Sequence, residues 1–222
     1  MDKNLAKSLQ NTGVDTRFVS IMGNKIFINN LKLSRFSRKK ERLFKKSFPE
    51  IEVIRSKIFQ KICIRASRTL AHCISPQERI FVVKNDDPLN TALYTILEPY
   101  KRKYGIELVY GNYIDERIEL NVDSIALPIT LDDEAENILN LMINGEKIGL
   151  LSSNESYKGK KLLYPLINVP RLWIRSWMGI KQDNSIQEQY KSSEDLLRFL
   201  EGLIPDVREN LFKSALFLDN II

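Results

Sequence analysis

Two spacings of apolar residues alternate along this chain, and each change of spacing marks an element. Residues 17–29, RFVSIMGNKIFIN, carry two β-rich arms about Gly23-Asn24 and predict a hairpin. Ser47-Phe48-Pro49-Glu50 has the spacing of a capping box with proline in the first turn. It predicts a helix with Ile51, Ile54, Ile58, Ile62, Ala66 and Leu70 on one face, ended by Ser75-Pro76. Ile80 to Val83 is an unbroken β-branched and aromatic run, the pattern of a strand buried on both faces of a parallel sheet. Leu89 to Leu97 can wind as a helix that stops at Pro99.

Further strands are predicted at 106–111 and 124–130, and an extended stretch at 160–170. Asp132 to Asn144 predicts a helix with acids in its first turn and Gly145 as its stop. Pro170 opens a short helix, RLWIRSWM, and two more follow at about 193–203 and 206–219. The polar stretch 112–121 predicts no element. Strands alternating with helices imply an α/β fold. The expected architecture is a parallel-sheet, nucleotide-hydrolase-like (Rossmann-like) core with C-terminal helices, 49–222, preceded by a hairpin and basic arm, 1–48.

Charge sharpens the picture. The 222 residues carry a net charge of +6. Residues 31–46 hold Lys32, Arg35, Arg38, Lys39, Lys40, Arg42, Lys45 and Lys46 against one acid, Glu41. The basicity is therefore local, the footprint of a phosphate-backbone binder. Phe36, Leu43 and Phe44 interrupt the run and are expected to hold one side of a helix against the body. Two cysteines, Cys63 and Cys73, and one histidine, His72, exclude a zinc site of four cysteines or of two cysteines and two histidines within the chain. They also exclude a three- or four-cysteine iron–sulfur site. Both thiols are expected to be buried or half-buried, as small hydrophobes, and no metal is expected. No apolar run reaches the ~18 residues of a membrane span. The chain starts without an apolar stretch like a secretory signal, so a cytoplasmic protein with no membrane partner is expected.

The link from strand 80–83 to its helix is Asn85-Asp86-Asp87-Pro88. In open α/β sheets ligands bind at such strand-to-helix tips, and nucleotide phosphates favour them. In chain order this loop is followed by DSIALPITLDDEAENILNLMINGEKIGL (123–150) and GKKLLYPLINVPRLWIRSWMGI (159–180). That order resembles the PP-loop ATP pyrophosphatases that modify tRNA, nearest the tRNA 2-thiolation proteins, with tRNA(Ile)-lysidine synthetase as a cousin. Asp123, Ile125, Ala126, Asp132, Asp133, Ala135, Glu136, Leu139 and Gly145 match one family segment; Pro165, Leu166 and Val169 match another.

The departures carry as much information. The family's phosphate loop is S-G-G-x-D-S, and Asn85, Asp86, Asp87, Pro88, Leu89 and Asn90 fall there in an ungapped overlay. The glycines let backbone N–H groups curl around a pyrophosphate. Asp86 and Asp87 supply negative charge instead, and a carboxylate about 4 Å from a phosphate charge costs roughly 4 kcal/mol at an effective dielectric near 20. Pro88 removes one N–H donor. Pro128-Ile129 replaces the family's Gly-His, and Tyr164 an arginine. No cysteine follows Cys73, the cysteine zinc finger is missing, and the stretch between Gly111 and Asp123 is shorter than the family's.

The resemblance thus implies a vestigial nucleotide site, Asn85, Asp86, Asp87, Asn90, Asp132 and Asp133, without expected cofactor. It implies a non-catalytic subunit of tRNA wobble-uridine thiolation, with tRNA on the basic arm and a catalytically intact PP-loop homologue as partner. An active ATP-dependent tRNA-modifying enzyme is the alternative, with Asp132 and Asp133 on magnesium and Asn85 and Asn90 on the phosphates of Mg-ATP. A scaffold on the same fold is another, with Trp173 and Trp177 as interface anchors beside Arg171 and Arg175.

Overall fold

The computed structural model describes residues 2–112, 121–180 and 192–219. The chain opens with a helix that the sequence reading did not anticipate, α1 (Asp2–Asn11), burying Leu5 and Leu9. Strands β1 (Val19–Met22) and β2 (Lys25–Ile28) form the predicted hairpin, with Val19 opposite Ile28 and Gly23 at positive φ in the turn.

The helix predicted to start at the Ser47 box does not start there. Strand β3 (Glu52–Ile54) comes first and pairs in parallel with β2, so that Ile26 faces Val53. Ile51 and Ile54 suit a helix face by spacing, but three of the four residues Ile51-Glu52-Val53-Ile54 are β-branched, and the run finds an open edge on β2. Helix α4 (Lys57–Cys73) begins after Ser56, whose hydroxyl accepts the Phe59 N–H at 3.1 Å. Starting there, it buries Phe59, Ile62, Cys63, Ala66 and Leu70, and leaves Ile58 36% exposed.

The basic segment forms two helices rather than one. Helix α2 (Leu31–Ser34) ends where Arg35 takes a left-handed conformation, and α3 (Arg38–Lys45) follows, capped by Ser37. Phe36 and Phe44 are buried in the core under the three-stranded sheet, with Phe48 stacked on Phe44. Leu43 does not join them and is 49% exposed, because it is one position round the helix from Phe44.

The second sheet has the strand order β5 (Glu107–Gly111), β4 (Arg79–Val83), β6 (Ser124–Ala126), β8 (Lys160–Leu163), β7 (Ser156–Tyr157). The first four are parallel and β7 is an antiparallel edge. The fold is the expected α/β architecture. Ile80 and Val82 pack on one face under α4, α5 (Pro88–Leu97) and α8 (Arg171–Met178). Phe81 and Ile125 belong to a separate cluster with Val122. Strand β6 stops at Ala126, short of the predicted Thr130, since Pro128 has no N–H for a ladder. The 160–170 stretch is extended only to Leu163. A one-turn helix, α6 (Tyr100–Lys103), follows α5. Helices α7 (Leu131–Asn144), α9 (Ser192–Glu201) and α10 (Val207–Asp219) pack together through Ala135, Leu139 and Leu197 and through Ile138, Phe212 and Ala215. Gly145 ends α7 at φ +67°, as a left-handed C-cap. Most of the polar stretch 112–121, where the resemblance implied a shortened connection, lies outside the described residues.

Polar contacts join the hairpin sheet to α5 and α6. Glu98, 1% exposed, accepts the Ile21 N–H at 2.9 Å and is gripped by both terminal nitrogens of Arg102. Arg102 also donates to the carbonyls of Thr16 at 3.0 Å and Val19 at 2.8 Å. Ser20 Oγ donates to the Thr95 carbonyl at 2.6 Å.

Candidate functional site

The chain leaves β4 for β5 on one side and returns to β6 on the other. The loops after β4 and β6 therefore diverge at their carboxyl ends, and open α/β sheets bind ligands in the crevice so formed. The fold brings Asn85, Asp86, Asp87 and Asn90 to one wall of that switch point and Leu127 to Thr130 to the other.

The loop after β4 is closed on itself. Asp87 is the N-cap of α5, and its Oδ1 accepts the N–H groups of Leu89 at 2.8 Å and Asn90 at 3.0 Å. Pro88 occupies the first helical turn without an N–H. Asn85 Oδ1 accepts the Asp87 N–H at 3.1 Å and the Asn90 amide at 2.9 Å. A helix N-terminus attracts phosphate because its first N–H groups are unpaired and its dipole is positive there. Here an internal carboxylate satisfies both needs. Asp86 adds an exposed carboxylate beside it. This donor set does not fit a nucleotide phosphate.

Asp132 and Asp133 sit in the first turn of α7, and both are engaged. Asp133 Oδ2 accepts the N–H of Thr130 at 2.8 Å and its hydroxyl at 2.6 Å, while Oδ1 meets Arg171 Nη2. Asp132 Oδ2 accepts the Arg171 N–H at 2.6 Å, and Oδ1 lies 3.3 Å from Arg208 Nη1. Burial pushes the Asp132 carboxyl above its ordinary range, against the pull of the Arg171 N–H and the Arg208 charge. Arg208 also binds Glu194 and Glu201, so these acids lock α7 to α8, α9 and α10. The sequence marks Arg171 only as a neighbour of the tryptophans and gives Arg208 no distinction. Nothing local marks either as the partner of an acid so far away in the chain. Among the described residues no three His, Cys, Asp or Glu side chains are grouped to hold a metal ion.

The basic arm is displayed on the surface. Lys32, Arg35, Arg38, Lys39, Arg42 and Lys46 are exposed, while Lys40 and Lys45 are half-buried. Lys40 Nζ donates to the Gly13 carbonyl, and Lys45 lies 3.7 Å from Glu41. Glu41, the segment's one acid, is turned inward and paired with half-buried Arg55 and with Arg38. The outer face thus keeps its cations and hides its anion, which favours a polyanion.

The two tryptophans are half-buried against the core. Trp177 stacks on Phe59 at 4.6 Å and meets Phe27 edge-on at 5.4 Å. Trp173 lies under the Arg65 guanidinium at 4.4 Å. Cys63 is buried, and burial pushes its thiol far above the ordinary range; Cys73, also unpaired, is half-buried.

No family model matches the chain. Over 94 residues it is 32% identical to a probable sulfurtransferase of Methanocaldococcus jannaschii, a match that covers 41% of this chain and 28% of that protein. The chain therefore spans under a third of that curated relative's length. Among solved structures, the U34-tRNA thiolase NcsA from Methanococcus maripaludis with its 4Fe-4S cluster has the same fold. The TM-score is 0.52 at 16% sequence identity, covering 74% of this chain and 80% of that one. None of the helices described is long and apolar enough to cross a membrane.

Proposed function

We propose that this chain is a non-catalytic, tRNA-binding subunit in 2-thiolation of tRNA wobble uridine. It works in the cytoplasm as a heterodimer with a PP-loop homologue that keeps the glycine-rich phosphate loop. The likeness to a sulfurtransferase and the shared fold with a tRNA thiolase support the pathway. The observation that carries the non-catalytic reading is the Asp87 carboxylate lying on the α5 N–H groups, where a phosphate would otherwise bind. The cysteine inventory agrees. Cys63 and Cys73 are the only two, ten positions apart on one helix and so about 15 Å apart along it. They cannot hold a 4Fe-4S cluster together, so the partner supplies the sulfur chemistry. Lys32, Arg35, Arg38, Lys39, Lys40, Arg42, Lys45 and Lys46 supply the tRNA grip.

Three measurements test this. Titration with millimolar Mg-ATP is expected to give no heat; binding that Asp132→Asn abolishes would overturn the non-catalytic reading. tRNA affinity is expected to fall with salt, and changing Arg38, Lys39, Lys40 and Arg42 to glutamine is expected to lower the log–log slope by up to ~3. An unchanged slope removes the arm from the interface. Affinity purification from native cells is expected to bring down a homologue with an intact S-G-G-x-D-S loop in near-equal amount. Elution of the protein alone overturns the heterodimer.

A further inference from the structure

A cleft of about 220 Å³ opens where the hairpin sheet meets α4, α5 and α6. Its floor is apolar, formed by Cys63, Ile96 and Tyr100, with Leu33 of α2 beside them. Asn29 and Asn30 form a polar wall. Asn30 Oδ1 takes the Leu33 N–H at 3.0 Å, which fixes the orientation of that amide, and its NH₂ has no partner among the described residues. Asn29 Oδ1 lies 3.0 Å from Ser20 Oγ, whose one proton goes to the Thr95 carbonyl at 2.6 Å, and adds a second polar group to the wall. Lys103 stands at the cleft over the rings of Tyr100 and Tyr104, at 5.1 and 5.0 Å.

We propose that this cleft takes one unstacked nucleobase of the bound RNA. The inference rests on the RNA-binding reading above and names the subsite that accompanies the phosphate grip. Proteins that read single-stranded RNA splay a base out, set it on an apolar or aromatic surface and hydrogen-bond its edge. The cleft has all three parts: an apolar floor with a tyrosine, a polar wall that includes the fixed NH₂ of Asn30, and a cation. An NH₂ donor suits a carbonyl acceptor on a base edge. The volume lies below the ~300 Å³ at which drug-sized ligand sites begin, so it admits one ring system and not a nucleoside triphosphate. Position supplies the remaining argument. Leu33 lines the cleft, and Lys32 and Arg35, within two positions of it, are exposed cations of the basic arm. A strand whose phosphates lie on those cations brings its bases to the cleft.

The test uses the full chain and a tRNA transcript carrying 4-thiouridine, cross-linked by light and mapped by mass spectrometry. Two variants accompany it. Ser67→Trp fills the cleft from α4 at a half-buried position. Asn30→Ser keeps a helix-capping oxygen but removes the NH₂. Cross-links on peptides containing Phe18, Cys63 or Tyr100 are expected. Both variants are expected to lower the yield of those cross-links, and Ser67→Trp to weaken RNA binding roughly 5- to 150-fold, the range of one stacked base. The salt slope is expected to stay unchanged, since no phosphate contact is lost. RNA that binds with its full salt slope, cross-links only to the arm and ignores both variants would overturn the cleft proposal while leaving RNA binding intact. Failure of the wild-type chain to bind RNA would overturn the functional reading, and this one with it.

Discussion

Removing the Glu98 carboxylate should loosen the hairpin sheet from the α/β core. Glu98 is almost fully buried and holds three donors: the Ile21 N–H across the junction and both terminal nitrogens of Arg102. Arg102 reaches the same sheet through Thr16 and Val19. Glu98→Ala leaves a guanidinium without its counter-charge and a strand N–H without its acceptor. Breaking a buried pair from one side costs about 3–5 kcal/mol. Domains are stable by about 5–15 kcal/mol, so the loss is a large share. At this chain length each kcal/mol moves the melting temperature by about 2–4 °C, which predicts a fall of roughly 6–20 °C. Urea unfolding followed by circular dichroism measures the free energy, and amide exchange shows where protection is lost, with β1 and β2 expected first. The double variant Glu98→Leu, Arg102→Met leaves no unpaired charge and is expected to be milder than the sum of the single variants. A Glu98→Ala variant within about 1 kcal/mol of wild type, or strictly additive single and double variants, would refute the reasoning.

Other outcomes follow from the same geometry. Asp87→Ala removes the cap of α5 and should cost about 1 kcal/mol in urea unfolding. Burial raises the Glu134 carboxyl above its ordinary 4.5, although the N–H groups of Leu151 and Ser152 oppose this. A raised folded-state value means the native state binds more protons, so this contribution is full below pH 4.5 and is lost as pH rises through the folded value. Wild type should therefore lose stability relative to the neutral variant Glu134→Gln as pH rises from 4 to 7, and a constant difference in urea midpoints would count against it. In native protein at pH 8, a chromogenic disulfide reagent should label Cys73 readily and Cys63 only on unfolding, because one thiol is half-buried and the other buried.

Local pattern was enough wherever an element rests on its own residues. The run Ile80 to Val83 announced a buried strand, and the acidic first turn and Gly145 bounded α7, because burial period and cap chemistry are written in neighbouring positions. The absence of glycine from the link Asn85-Asp86-Asp87-Pro88 was equally legible. The sequence reading took Asp87 as a charge repelling phosphate; Asp followed by Pro also signals a helix cap, and the structure shows that cap in place.

Other features needed the third dimension. Ile51 and Ile54 match a helical spacing as well as an edge strand, and only the open flank of β2 decided for the strand. The acids Asp132 and Asp133 read alike as magnesium ligands or as caps until Arg171 and Arg208 arrived from distant helices to engage them. The Glu98–Arg102 pair is visible as an i, i+4 spacing on paper, but its reach to Ile21 and Val19 is not. The cleft beside Asn29 has no signature at all in the chain order. Its walls come from the hairpin, α2, α4, α5 and α6, and a cavity exists only where separate elements fail to close on one another. Sequence thus determined most of the elements and the glycine-free link after β4; packing decided what each charged side chain touches, because those contacts join residues whose separation along the chain carries no period.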